Sequence, residues 1–155
     1  MPSTTNQTIN GLNVTAGSIL ATFFSGTATA ANYADLAEKY LPDADYEVGT
    51  VVMIGGEKEV TIATLYGTET VAGIVSTKPA YMLNSEAGTD ETHPYIALKG
   101  RVPCKVIGAV KKGQRLVASN NGHAVAAVPH ANDVFAMALE SSAETGSKII
   151  EVLVL

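Results

Sequence analysis

A chain of 155 residues has the size of one domain, and with 46% hydrophobic residues it holds enough apolar side chains for a core. Only 16% of its residues are charged, against roughly 25% in an ordinary soluble domain, so part of its surface is expected to be hidden against copies of itself or a partner. The net charge of -5 excludes the basic patch that non-specific binding to nucleic acid or an anionic membrane requires, and no run approaches the ~18 apolar residues of a membrane-spanning helix.

Residues 1 to 34 contain no charged side chain; the first is Asp35. Thr, Asn, Ser, Ala and Gly dominate there, with Ile9, Leu12, Val14, Ile19, Leu20, Phe23 and Phe24 scattered among them. Free tails usually stay soluble by carrying charge. This composition predicts an N-terminal arm, residues 1–31, that orders on another surface through those seven apolar side chains, in the manner of a strand added to a sheet edge. The alternative is that it forms the first strand pair of the β-rich domain assigned to residues 32–155.

Further along, Tyr33, Leu36, Ala37 and Tyr40 recur at helical spacing, so one short helix is predicted over residues 30 to 41, stopped by Pro42. From Val48 onward the pattern changes to strands. The run from Gly49 to Ile54 is closed by Gly55 and Gly56, residues 59 to 64 alternate, and a turn is expected at Tyr66-Gly67-Thr68. Short strands are predicted over residues 71 to 76, 81 to 83, 95 to 99 and 102 to 107. Asn121-Gly122, flanked by residues 114 to 120 and 123 to 127, predicts a tight hairpin with positive φ at its turn. Residues 134 to 139 and 148 to 155 supply two more strands, the last pinning the C-terminus into the sheet. Many short strands at close spacing give an all-β class, a short-stranded barrel or sandwich.

Reactive residues are few. Cys104 follows Pro103 in an apolar strand and lacks a neighbouring histidine base, so a buried, inert thiol is expected. His93, His123 and His130 are too widely spaced for a zinc site and read as loop histidines at the surface. The carboxylate pairs Asp35/Glu38, Asp43/Asp45 and Glu57/Glu59 fall in polar stretches and read as solvated turns and a charged helix face. Lys111-Lys112-Gly113 is not followed by a predicted helix, which a phosphate loop would need. The expectation is therefore a protein that is not an enzyme and carries no metal or cofactor, made in a compartment where one cysteine needs no oxidant.

From about Asn32 onward, the blocks Tyr33-Ala-Asp-Leu-Ala-Glu-Lys-Tyr, Tyr46-Glu-Val-Gly-Thr-Val-Val and Val71-Ala-Gly-Ile-Val-Ser-Thr-Lys-Pro-Ala-Tyr-Met-Leu-Asn carry a resemblance. So do Ile96-Ala-Leu-Lys-Gly-Arg-Val-Pro-Cys-Lys-Val, Lys112-Gly-Gln-Arg-Leu-Val-Ala-Ser and Ala138-Leu-Glu. Together they resemble a β-rich module of tailed-phage structural proteins, including those of cyanophages, often found at the C-terminus of fibre-like proteins. The start of the module is also similar to a self-cleaving chaperone domain of phage fibres, but no nucleophile-and-base pair matches here and cleavage is not carried over. Its ordering of Gly-Val-rich strands is similar to small capsid decoration proteins, which clamp neighbouring subunits, usually as trimers. The resemblance implies a virion structural protein that pairs with itself as a homotrimer and with capsid or tail proteins. It implies no nucleic-acid or membrane partner. A short arm ahead of the module favours a decoration (cement) protein; the alternative is a tail-fibre or spike subunit that reads host receptors through Tyr33, Tyr46, Tyr66, Tyr81 and Tyr95.

Overall fold

The computed structural model describes residues 34–64 and 69–155. Ten strands form in chain order: β1 (Asp35–Lys39), β2 (Val51–Ile54), β3 (Val60–Ile62), β4 (Val71–Val75), β5 (Tyr81–Leu83), β6 (Tyr95–Ile107), β7 (Arg115–Ser119), β8 (His123–Ala126), β9 (Ala136–Ala138) and β10 (Ser147–Val154). The described residues are all-β, with a single 3-10 turn at Asn120–Gly122.

The 13-residue β6 is shared by two halves of the molecule. Its C-terminal half alternates strictly, with Val102, Cys104 and Val106 inside and Arg101, Pro103, Lys105 and Ile107 facing outward. That half pairs with β10 from Gly100 to Ile107 and with β8 at Val106. Because β8 pairs with β7, β7 with β9 and β9 with β10, the ladder closes into a five-stranded barrel. So narrow a barrel has little room inside, and small side chains meet it there: Ala118, Ala124, Ala136 and Ala138 share the core with Leu116, Ile150, Val152 and Val154.

The N-terminal half of β6 pairs with β1 and β4, and the sheet continues through β2 to β3. A second cluster of Val52, Val60, Val75 and Ile96 forms there, with Tyr40 and Tyr46 packed against it. Gly100, at φ +107°, stands where the halves meet and aligns with both Asp35 of β1 and Val154 of β10. Two predicted strands, residues 95 to 99 and 102 to 107, are thus one continuous strand. Its glycine absorbs the bend between two sheets in place of a turn.

The described part of the predicted helix is also a strand. Along β1 burial alternates, with Asp35, Ala37 and Lys39 inside, which is a period of two. Five residues are too few for spacing to separate the two periods, and the edge offered by β6 decides between them. Consequently Asp35 and Glu38 do not form a charged helix face. Asp35 is buried, and its carboxylate accepts a 2.6 Å hydrogen bond from the Ser76 hydroxyl. At the hairpin, Asn121 (φ 55°) and Gly122 (φ 67°) adopt the positive dihedrals that the sequence predicts, but Ser119 pairs with His123 across a three-residue turn instead of two. The predicted turn at residues 66 to 68 and the arm, with Ile9, Leu12, Val14, Ile19, Leu20, Phe23 and Phe24, lie outside the described residues.

Candidate functional site

Barrel closure removes the edges of five strands, so the surface that can recruit another chain lies at the remaining ones. The outer edge of β3 is capped by the chain itself. Glu59 and Val60 amides both donate to the Leu41 carbonyl, at 3.1 and 3.3 Å, and the Asp43 amide donates to the Val60 carbonyl at 3.1 Å. The edge of β5 is different, because this strand pairs in parallel with β1 alone. The main chain of Ala34, Leu36 and Glu38 faces β6, with the Arg101 amide donating to Ala34 O, so in the parallel register Ala37 is bracketed by Tyr81 and Leu83 and the main-chain groups of Met82 face outward. They meet no partner strand among the described residues. All three side chains are exposed as well: Tyr81 by 67%, Met82 by 56% and Leu83 by 44%.

Three large apolar residues on an open edge invite pairing, and the flanking chain holds them in place. Lys39 at the end of β1 is buried, and its ammonium donates to the Gly88 carbonyl, lies 3.0 Å from Asp90 Oδ1 and sits 5.1 Å from the centre of the Tyr95 ring. Asn84 Nδ2 donates to the Lys39 carbonyl at 3.2 Å. One buried amine thereby fixes the loop that follows β5. Beside the strand, Ala34, Leu36, Ala80, Tyr81 and Gly100, with Asp35 and Lys99 among them, line a mostly apolar cleft of about 320 Å³, and Ala34 is where the N-terminal segment joins the domain. A second group of exposed apolar side chains, Ile107 on β6, Ile149 and Leu153 on β10 and Leu155 just after it, lies on the outside of the barrel.

Titratable groups are dispersed. Cys104 is fully buried inside the barrel, and burial pushes its thiol up to about 12, as the sequence leads one to expect for an inert cysteine. Asp43, in contrast, is held below the usual carboxylate range, chiefly by the Tyr46 hydroxyl that donates to it and then by Thr61. Burial raises Tyr46, and its hydroxyl also accepts the Ile62 amide at 3.1 Å. His93 lies in the loop before Pro94, and His130 is exposed with φ 66°. His123 opens β8, the second strand of the predicted hairpin, with Nε2 2.7 Å from Ser147 Oγ and Nδ1 3.3 Å from the Asn120 carbonyl oxygen. This contact spans 24 positions, and no spacing in the sequence announces it. It ties β8 to β10 at the surface. A concavity of about 510 Å³ is lined by Val71, Leu98, Phe135 and Leu155 together with Glu69 and Asp133. Among the described residues no group of three or more His, Cys, Asp or Glu is placed to hold a metal ion. Of the tyrosines named as a recognition surface, Tyr46 and Tyr95 are partly buried, Tyr81 alone is exposed, and Tyr33 and Tyr66 lie outside the described residues.

No protein-family model matches the chain, and no curated protein matches its sequence. Solved structures do match. The pre-mature form of bacteriophage phi29 gene product 12 superposes with a TM-score of 0.62 at 16% identity, over 84% of this chain and 23% of that one. The C-terminal fragment of the same phage protein superposes with a TM-score of 0.58 at 16% identity, over 78% of this chain and all of the fragment. The chain therefore spans about a quarter of the pre-mature protein's length. At this identity the likeness is one of fold: the described chain has the β-rich fold found in a bacteriophage gene product.

Proposed function

We propose that the chain is a bacteriophage virion structural protein, an oligomeric decoration-type clamp, and a trimer as the decoration-protein resemblance implies. It grips neighbouring capsid or tail proteins, including copies of itself, through its uncharged N-terminal arm. The observation that carries the reading is the fold match to phi29 gene product 12 over 84% of the chain. The exposed Tyr81-Met82-Leu83 edge supports it physically, because apolar surface of this kind is normally covered in an assembly. Each large apolar side chain that an arm buries contributes about 1.5–3 kcal/mol, and symmetry multiplies the effect through effective concentration. No catalytic step, metal or cofactor enters the proposal.

The alternative, a tail-fibre or spike subunit, is favoured by one specific observation: the match covers the whole of a piece described as a C-terminal fragment of a longer phage protein. Gold-labelled antibody against this protein, applied to purified virions and viewed by electron microscopy, separates the two. Label over the head supports the decoration reading, label on the tail supports the alternative, and absence of label from intact particles refutes both.

A further inference from the structure

Among the described residues the sheet has one edge without a partner, that of β5. A ring of three or more identical subunits, such as the proposed trimer, needs two different surfaces, a donor and an acceptor, at each interface. The other candidate edge, on β3, is already used by Leu41 and Asp43 of the same chain, so the described residues supply an acceptor edge without a matching donor edge. The donor must come from elsewhere in the sequence.

We propose that β5 accepts a strand from the N-terminal arm of the next copy, and that the stretch Ile19-Leu-Ala-Thr-Phe-Phe24 supplies it. This rests on the reading of the protein as an oligomer with a gripping arm, and it names where one part of that arm docks. Three observations converge on it. The acceptor strand is apolar and uncharged, and so is the whole of residues 1 to 34, whereas a charged segment would lose hydration on such an edge. The outward main-chain groups of Met82 provide the first ladder bonds, while exposed side chains on both faces of β5 offer Phe23 and Phe24 apolar surface. Finally, the arm joins the domain at Ala34, in the apolar cleft beside Tyr81, and the ten residues from Phe24 to Ala34 reach roughly 33 Å when extended. That is enough to cross to a neighbour. Ile9, Leu12 and Val14, further from the domain, remain free for other virion proteins.

The test uses two differently tagged full-length copies expressed together. One carries Met82→Cys; the other carries a single cysteine at each of residues 19 to 24 in turn. Native Cys104 is buried and does not compete for oxidation. The expected result after mild oxidation is a hybrid, disulfide-linked pair of chains that appears at alternate arm positions, the period of a strand. Moving the acceptor cysteine to Tyr81 and adding Met82→Pro, which deletes the outward amide but leaves the bonds of residues 81 and 83 to β1, should abolish the hybrid that Tyr81→Cys alone gives. Sedimentation of the uncross-linked protein is run alongside. An oligomer that gives no hybrid at any position overturns the docking and leaves the oligomeric reading standing. A link formed only within one chain, when both cysteines are placed in the same copy, also overturns it. A monomer in sedimentation removes the reading on which it rests.

Discussion

Gly100 is the position where a single methyl group should do most damage for its size. Its φ of +107° lies in the region that L side chains rarely adopt, and a Cβ built there falls inside the contact distance of the Ala34 carbonyl oxygen and 2.9 Å from Asp35 Cα. Both obstacles are main chain. The Ala34 carbonyl cannot move away freely, because it accepts the Arg101 amide at 3.1 Å. Gly100→Ala therefore adds backbone strain of about 1–2 kcal/mol. It also forces loss or stretching of that hydrogen bond, about another 0.5–1.5 kcal/mol. Gly113 is the control: its φ is +84°, but a Cβ there meets nothing within 4 Å, so Gly113→Ala should show only the strain. Urea unfolding followed by circular dichroism should thus place Gly100→Ala about 3 kcal/mol below the parent and Gly113→Ala about 1–2 kcal/mol below it. Equal losses in the two variants would refute the argument that close approach of β1 at residue 100 sets the requirement for glycine.

Three further outcomes follow from the same geometry. Lys39→Met should leave the Gly88 carbonyl without its donor, a loss of about 1–3 kcal/mol, while the largely exposed Asp90 returns to water; limited proteolysis should then cut between Asn84 and Pro94 faster than in the parent, and an unchanged cutting rate would contradict the role given to Lys39. The carboxyl of Asp43 is depressed in the folded chain, so its contribution to stability is present above the unfolded pKa of about 4 and is lost as the pH falls through the folded value. Asp43→Asn should flatten the acid limb of the stability profile, and superimposable limbs would count against the Tyr46 hydroxyl as the cause. Cys104 should react with a thiol reagent only as the barrel opens, with the same urea midpoint as the loss of circular dichroism; rapid labelling of the native protein would contradict its burial.

Strands were legible in the sequence wherever apolar residues lay between strong breakers. Gly55 and Gly56 close β2, Pro79 precedes β5, and the run to the C-terminus forms β10, whose end is fastened when the Leu155 amide donates to the Phe135 carbonyl at 3.0 Å. What escaped was decided by distant residues. β1 is a strand because β6 lies beside it, and Asp35 and Lys39 are tolerated inside because Ser76 and Gly88, 41 and 49 positions away, satisfy them. The residues of β5 read easily as a strand, yet three consecutive large apolar side chains look like core in any sequence. Only the sheet order exposes them as an edge. The His123–Ser147 contact was invisible for the same reason, since its members are brought together across β6.

The two halves of β6 therefore differ in how complete they are. Around residues 102 to 107 every neighbouring strand belongs to a closed barrel, and the core there is finished by the chain's own alanines and valines. Around residues 95 to 100 the sheet is extended through β1 to β5 and stops at an open apolar edge. A ligand that binds only the folded form stabilises it in proportion to RT ln(1 + [L]/Kd). Anything that pairs with β5 must consequently stabilise β5, β1 and the Lys39-anchored loop more than the barrel, which closes without it. Hydrogen exchange in the oligomer and in a dissociated chain should then differ most at Leu36–Glu38 and Tyr81–Leu83 and least at Val102–Val106. A uniform change across both halves would mean that the barrel, and not the β5 edge, forms the seam between copies.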